Sequence, residues 1–183
     1  MNKSWNQIVK EYGRCLRTYT GKKVDIFDPD PESICIEDIA HALSNICRFA
    51  GHVPEFYSVA EHSYLASLLA KPEHELAALM HDAAEAYMVD LPRPVKMEMP
   101  EFSIIEDKLM KVIAKKFGFQ YPLPEDIVTI DNRLVKEEFY YLMLDYPIWG
   151  LPPAPIQLYE PLKAEEAFLE TYQNIVDAAE IVF

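Results

Sequence analysis

This sequence predicts an all-α domain, a compact bundle of six to eight helices, and three observations carry the prediction. Long stretches place apolar residues at three- and four-residue intervals, the signature of a helix with one buried face. Only 5 glycines occur in 183 residues. Half the residues are hydrophobic and 12 % are aromatic, which excludes a disordered class and gives a single domain spanning 1–183 enough material for a substantial core.

The elements follow in order. Trp5, Ile8, Val9 and Tyr12 stand at helical spacing within Met1–Leu16 and predict a short helix. TYTGKKVDIFDPDPES is a loop or short hairpin, broken by Gly21 and two Asp-Pro steps. A helix is expected over Glu37–Phe49, where Ile39, Leu43, Ile46 and Cys47 recur on one face, with Gly51 ending it and Pro54 in the following turn. Ser58 and Glu61 have capping-box spacing at the start of the next helix, which runs to about Ala70. Pro72 and Glu73 open another, read as continuous through His81 and Asp82 to about Met88. LPRPVKMEMP is a proline-broken connection, and Phe102–Phe117 forms a helix that ends at Gly118. YPLPEDIV starts a helix with Pro124 in its first turn, reaching about Leu144. Pro147–Pro155 is a rigid proline-rich loop, and a last helix spans Pro161 to about Val182. No strand pattern matches the strength of these helical ones.

Composition narrows the partners. The formal charge of −13 repels nucleic-acid polymers, whose binding rests on clustered Lys and Arg. A phosphorylated small molecule is accepted only where a cation and a few placed basic groups reverse the sign locally. The three cysteines, Cys15, Cys35 and Cys47, form no CxxC pair and read as reduced thiols. No apolar run is long enough to cross a bilayer, and MNKSWNQIVKEYGR lacks a signal-peptide core. The expectation is a cytoplasmic protein with no membrane partner.

The chemistry concentrates in ALMHDAAEAYMVDLPRP, where His81 and Asp82 are adjacent, and in YSVAEHS, which contributes His62. Neighbouring helical residues point about 100° apart, so this pair converges on one ion only from the rim of a cleft. An apolar run such as LAALMHDAAEAYM seldom accepts the three ionisable groups His81, Asp82 and Glu85 without a reason. Nitrogen and oxygen donors without thiolate suit an open site for Co²⁺, Mn²⁺, Zn²⁺, Fe²⁺ or Mg²⁺ rather than a closed structural zinc. Glu85, a turn beyond His81, is placed to orient the attacking water, to move its proton, or to hold a second ion; otherwise it is a solvated Glu. Asp90 in VDLPRP, on its own, reads as a helix-ending Asp before a proline turn. Arg48 in CRFAGH offers the fixed guanidinium fork that suits phosphate. Phe49 beside it is available to stack on a base or sugar, or belongs to the core. Lys96 is a second, weaker phosphate candidate.

The blocks DIAHALSNICRFAGH, FYSVAEHS, ALMHDAAEAYMVDLPRPVK and TIDNRLVKEEF, in that order across about residues 25–143, resemble the HD superfamily of metal-dependent phosphohydrolases. Small bacterial and phage members that hydrolyse deoxynucleotides are the nearest match. The resemblance implies an HD-domain helical bundle with His62, His81, Asp82 and Asp131 around a divalent ion. It further implies Glu85 in catalysis, Asp90 in catalysis or in reading the sugar, and Arg48, Phe49 and Lys96 against the substrate. The implied reaction is hydrolysis at the 5′ α-phosphate, releasing a deoxynucleoside. A dATP or dNTP triphosphohydrolase is the leading expectation, a 5′-deoxynucleotidase acting on dNMPs the alternative, and a non-catalytic nucleotide-binding module the alternative of another class. Similar enzymes are dimers or larger, so a homo-oligomer is expected.

Overall fold

The computed structural model describes residues 4–144 and 156–181; the loop expected over Pro147–Pro155 lies outside them. The regular structure of the described residues consists of nine α-helices, one minimal hairpin, three single 3-10 turns and one wide π turn. Helix α1 (Trp5–Tyr12) leads into strands β1 (Leu16–Arg17) and β2 (Lys23–Val24), antiparallel with Leu16 opposite Val24. The others are α2 (Ile36–Asn45), α3 (Val59–Leu69), α4 (Glu75–Leu79), α5 (Glu85–Met88), α6 (Arg93–Lys96), α7 (Pro100–Phe117), α8 (Glu125–Glu138) and α9 (Pro161–Ile181). The expected mainly helical architecture is therefore what the chain adopts. The count exceeds eight because one expected helix is broken and the proline-broken connection holds the short α6.

Helix α3 is the axis of the molecule. It packs on α2, α4, α8 and α9, and Val59, Ala60, Glu61, His62, Ser63, Leu65, Ala66 and Ser67 are all buried. A helical stretch buried on every side, as Val59–Ser63 is, belongs to the centre of a core; here the Ala and Ser positions let its neighbours approach. Two apolar clusters meet on it. Val59 and Ala60 join Ile39, Leu43, Leu79, Leu109, Ile113 and Phe168, while Leu65 and Ala66 join Tyr57, Ala77, Ile127 and Leu134. No described helix is long and apolar enough to cross a membrane.

Two helix expectations are corrected, and both corrections shape the site. Helix α2 stops at Asn45 instead of Phe49. The Ser44 hydroxyl and the Asn45 amide both donate to the His41 carbonyl at 2.8 Å, drawing on the end of the ladder. The chain then runs extended against the approach to α3. Val59 N donates to Ile46 O at 3.0 Å and Arg48 N to Tyr57 O at 2.9 Å. Phe49, Ala50 and Gly51 follow with positive φ values of 54°, 52° and 76°, a tight turn rather than a helix end.

The second correction concerns Pro72–Met88. Helix α4 ends at Leu79, and the next five residues are turns that shorten the repeat: Ala83 N donates to Met80 O at 3.0 Å and Glu85 N to Asp82 O at 2.9 Å. His81 Nδ1 donates to the Ala78 carbonyl at 2.7 Å, the acceptor that the Asp82 amide would take in an unbroken helix. Pro124 caps α8 from outside instead of sitting in its first turn. Gly118, left-handed at φ 77°, closes α7 as expected.

Candidate metal centre

Three elements deliver side chains to one point. The central helix α3 contributes His62, the turn after α4 contributes His81 and Asp82, and α8 contributes Asp131. His62 is fully buried and His81 nearly so. Their Nε2 atoms stand 3.1 Å apart. Asp131 Oδ1 lies 3.2 Å from His62 Nε2 and 3.8 Å from His81 Nε2; Asp82 Oδ2 lies 3.3 Å from His81 Nε2 and 3.8 Å from His62 Nε2. The break after α4 is what lets two adjacent residues aim at the same place.

The hydrogen-bond directions at the imidazoles are fixed from behind. His62 Nδ1 donates to Glu138 Oε1 at 2.6 Å, and His81 Nδ1 donates to the Ala78 carbonyl. A carboxylate and a carbonyl only accept, so in the neutral imidazoles the hydrogen belongs on Nδ1 and both Nε2 lone pairs face the same point. Donors about 2.1 Å from one ion lie about 3.0 Å apart at a right angle and about 3.4 Å apart in a tetrahedron. The nearest separations, 3.1–3.3 Å, fall in that interval. His62, His81 and Asp131 form a group that can hold a metal ion, and the donor chemistry fits an open nitrogen–oxygen site.

The electrostatics separate the carboxylates. Burial pushes the Asp82 carboxyl up, but His81, His62 and Arg48 outweigh it and hold the group well below the usual range. Asp131 behaves alike, burial being overcome by hydrogen bonds to His62 and His81. Glu85 moves the other way: burial, with the charges of Asp82 and Asp90, pushes it well above a normal carboxyl. Its Oε2 is buried without a hydrogen-bond partner. Burial also raises Asp90, and Asp82 adds to that rise although Arg48 opposes it. Both imidazoles are raised. Burial and Arg48 oppose the charge on His62, and Glu138 and Asp131 overcome them; burial opposes it on His81, and Asp82 and Asp131 prevail.

The remaining candidates from the sequence divide. Arg48 is at the site, 3.6 Å through Nη1 from Asp82 Oδ2 and 3.1 Å through Nε from Glu138 Oε2. Phe49 lies beside it, its ring centroid 5.7 Å from the guanidinium carbon and 6.3 Å from that of Phe139, and it is half-buried against the second apolar cluster. Lys96 acts on Glu85 and Asp90 electrostatically, but its ammonium is engaged by Glu106 at 2.6 Å. Two histidines outside the candidate set lie elsewhere: His41 stacks on Tyr19 and pairs with Glu165, and His74 pairs with Asp126.

Two buried contributors were not legible as site residues. Glu138 accepts from His62, from Arg48 and from the Tyr57 hydroxyl at 2.7 Å. It follows Asp131 by two helical turns on the same face of α8, a spacing present in the sequence. Asp131 reaches His62 at Nε2 and Glu138 reaches it at Nδ1. Tyr57 lies in the same block as His62, and only the third dimension shows its hydroxyl turned to α8.

No family model matches this chain. It is similar to the uncharacterized protein YfdR of Escherichia coli K12, 36 % identical over 171 residues that cover 91 % of this chain and 96 % of that protein. It is also similar to an uncharacterized protein of Rhodobacter capsulatus, 38 % identical over 139 residues, 67 % of this chain and 71 % of the other.

Proposed function

This chain belongs to the family of the Escherichia coli protein YfdR, and we propose that it is a metal-dependent phosphohydrolase of HD type acting on deoxynucleotides at the 5′ α-phosphate. One observation carries the reading. Two buried imidazoles, each with Nδ1 committed to an acceptor-only group, bring their Nε2 atoms to 3.1 Å beside Asp131 and Asp82. Buried polar groups cost free energy unless they are satisfied, and a divalent cation satisfies all four at once. His62, His81, Asp82 and Asp131 hold it; when bound, it lowers the pKa of water and neutralises a phosphoryl oxygen.

The chain's own groups do the rest. Glu85, its carboxyl pushed up by burial and by the charges of Asp82 and Asp90, supplies a proton at Oε2. Arg48 presents its Nη edge towards Asp82, where a phosphate oxygen meets it. Water oxygen adds to phosphorus as the bond from phosphorus to O5′ breaks; O5′ takes the Glu85 proton and leaves as the deoxynucleoside, and the Glu85 carboxylate takes up the proton that the attacking water loses. Phe49 gives the sugar or base an apolar wall.

The resemblance of the motif blocks puts a deoxynucleoside triphosphate, dATP foremost, as the first substrate to test. A specific observation favours the monophosphate: Arg48 and Lys96, the two basic candidates, already face carboxylates, which leaves little positive charge for a triphosphate tail. Product chromatography with each dNTP and dNMP, over Co²⁺, Mn²⁺, Mg²⁺ and Zn²⁺, tests both. Triphosphate or phosphate released with deoxynucleoside supports the reading. Metal-loaded protein that binds these nucleotides and turns none over would leave a binding module in its place.

A further inference from the structure

Glu138 is fully buried, and its carboxylate receives three donors on two oxygens. Oε1 accepts from His62 Nδ1 at 2.6 Å and from the Tyr57 hydroxyl at 2.7 Å, while Oε2 accepts from Arg48 Nε at 3.1 Å. The residue stands at the end of α8, where the backbone passes into a single wide turn over Phe139–Met143, a distortion often found at functional sites. We propose that Glu138 is a positioning residue that fixes the metal-facing imidazole and the phosphate-facing guanidinium as one unit, so that cation and anion affinity both depend on a carboxylate touching neither. This role rests on the metal-dependent reading of the site given above.

The chemistry of the three bonds makes the claim specific. On His62 the carboxylate keeps the hydrogen on Nδ1 and leaves the Nε2 lone pair for the cation, as groups behind metal-bound histidines do. On Arg48 it occupies Nε, which leaves the Nη groups forward. Arg48 has a second carboxylate within reach, Asp82 Oδ2 at 3.6 Å from Nη1. Without Glu138 the buried guanidinium collapses onto Asp82 and takes a proposed ligand with it. Only an ionised carboxylate accepts at both ends, because an amide carries one acceptor oxygen and an NH₂ that donates.

Glu138→Gln therefore divides the two functions. Its oxygen follows the side with two donors, His62 and Tyr57, and its NH₂ opposes Arg48 Nε–H. Glu138→Ala removes both supports. The experiment is calorimetric titration of Co²⁺ into metal-free protein, then of inorganic phosphate into Co²⁺-loaded protein. In Glu138→Ala, Co²⁺ affinity falls by about 10–100-fold, the usual effect of losing a partner behind a ligand, and phosphate affinity falls with it. In Glu138→Gln, Co²⁺ affinity stays within about tenfold of the parent while phosphate weakens by about tenfold or more, the loss of one charged hydrogen bond. Tyr57→Phe, which removes one donor and keeps the ring, weakens Co²⁺ by a few-fold and stands in if the alanine variant does not fold. A parent protein that binds Co²⁺ and phosphate, with all variants matching it, overturns the role of Glu138 alone. Tighter phosphate binding in Glu138→Gln also overturns it, since Glu138 would then act merely as charge offsetting Arg48. A parent that binds no Co²⁺ removes the metal reading and this role together.

Discussion

Replacing Glu61 by Gln tests how the last helix is tied to the centre of the molecule. Glu61 is fully buried beside His62. Its Oε1 accepts the amides of Gln157 and Leu158 at 2.7 and 3.0 Å, and its Oε2 that of Tyr159 at 2.8 Å. In Glu61→Gln the amide oxygen keeps the first two, and the NH₂ faces the Tyr159 N–H, donor to donor. One hydrogen bond to a charged acceptor is lost, about 1.5–3 kcal/mol, and a buried donor left unmet adds about 1–3 kcal/mol. Opposing this, burial pushes the Glu61 pKa up despite the three amides, so removing the charge recovers part of its desolvation cost. The net loss comes to about 2–4 kcal/mol. For a chain of this size about 2–4 °C accompanies each kcal/mol, so thermal unfolding of the metal-free variant, followed by circular dichroism, should begin roughly 5–15 °C lower. A midpoint within about 1 °C of the parent would show that residues 157–159 are held without this carboxylate.

Asp38 gives a cleaner pH signature. It accepts from Thr20 N, Thr20 Oγ1 and Cys35 Sγ at 2.7, 2.9 and 3.0 Å; burial raises its pKa, but the Thr20 amide, Cys35 and the threonine hydroxyls bring it below the usual 3.8. A depressed carboxyl contributes stability above its unfolded pKa and loses it as pH falls through the folded value. Urea unfolding of Asp38→Asn should thus show lower stability at neutral pH and a smaller loss below about pH 4; parallel profiles would refute this. Asp131→Ala, at a half-buried position, should keep the fold and lose Co²⁺ affinity and turnover together, and unchanged Co²⁺ calorimetry would remove Asp131 from the ligand set. Glu85→Gln should bind Co²⁺ as the parent does while turnover drops by about 10² or more; equal turnover returns Glu85 to a bystander. Chelation should lower the thermal midpoint and added metal restore it, because a cation bound only by the folded state stabilises it by mass action.

What was legible in the sequence was local. Ser58 does accept from Glu61 N at 3.1 Å, as the capping-box spacing predicts, yet the Glu61 carboxylate turns away to residues nearly a hundred positions along. No window of sequence carries that partner. Glu138 was hidden for the same reason: its donors Arg48, Tyr57 and His62 all come from the far end of the chain, although its two-turn spacing from Asp131 was visible. Helices were overextended where side chains contend for backbone acceptors, at Ser44 and Asn45 on His41 and at His81 on Ala78. Propensity and periodicity see an apolar stretch there; they do not see a side chain taking a carbonyl.

That last competition also resolves how adjacent residues serve one centre. In a continuous helix His81 and Asp82 would diverge by about 100°; the turn after Leu79 brings His81 Nε2 and Asp82 Oδ2 to 3.3 Å. The same turn sets Glu85 behind them, three residues on, where the environment differs in sign. Burial raises both carboxyls; at Asp82 the charges of His81, His62 and Arg48 outweigh it and hold the group low, whereas at Glu85 the charges of Asp82 and Asp90 add to it and push the group up. Two carboxyls three residues apart are thereby shifted in opposite directions, Asp82 towards the anion and Glu85 towards the neutral acid. The sorting depends on Asp82: with Asp82→Asn the Glu85 carboxyl loses a neighbouring negative charge, and its pKa should fall. Infrared titration of Glu85 in the metal-free proteins reads this directly. A Glu85 pKa unmoved by the substitution would mean that burial and Asp90 raise it without Asp82, and that the two carboxyls do not act as a pair.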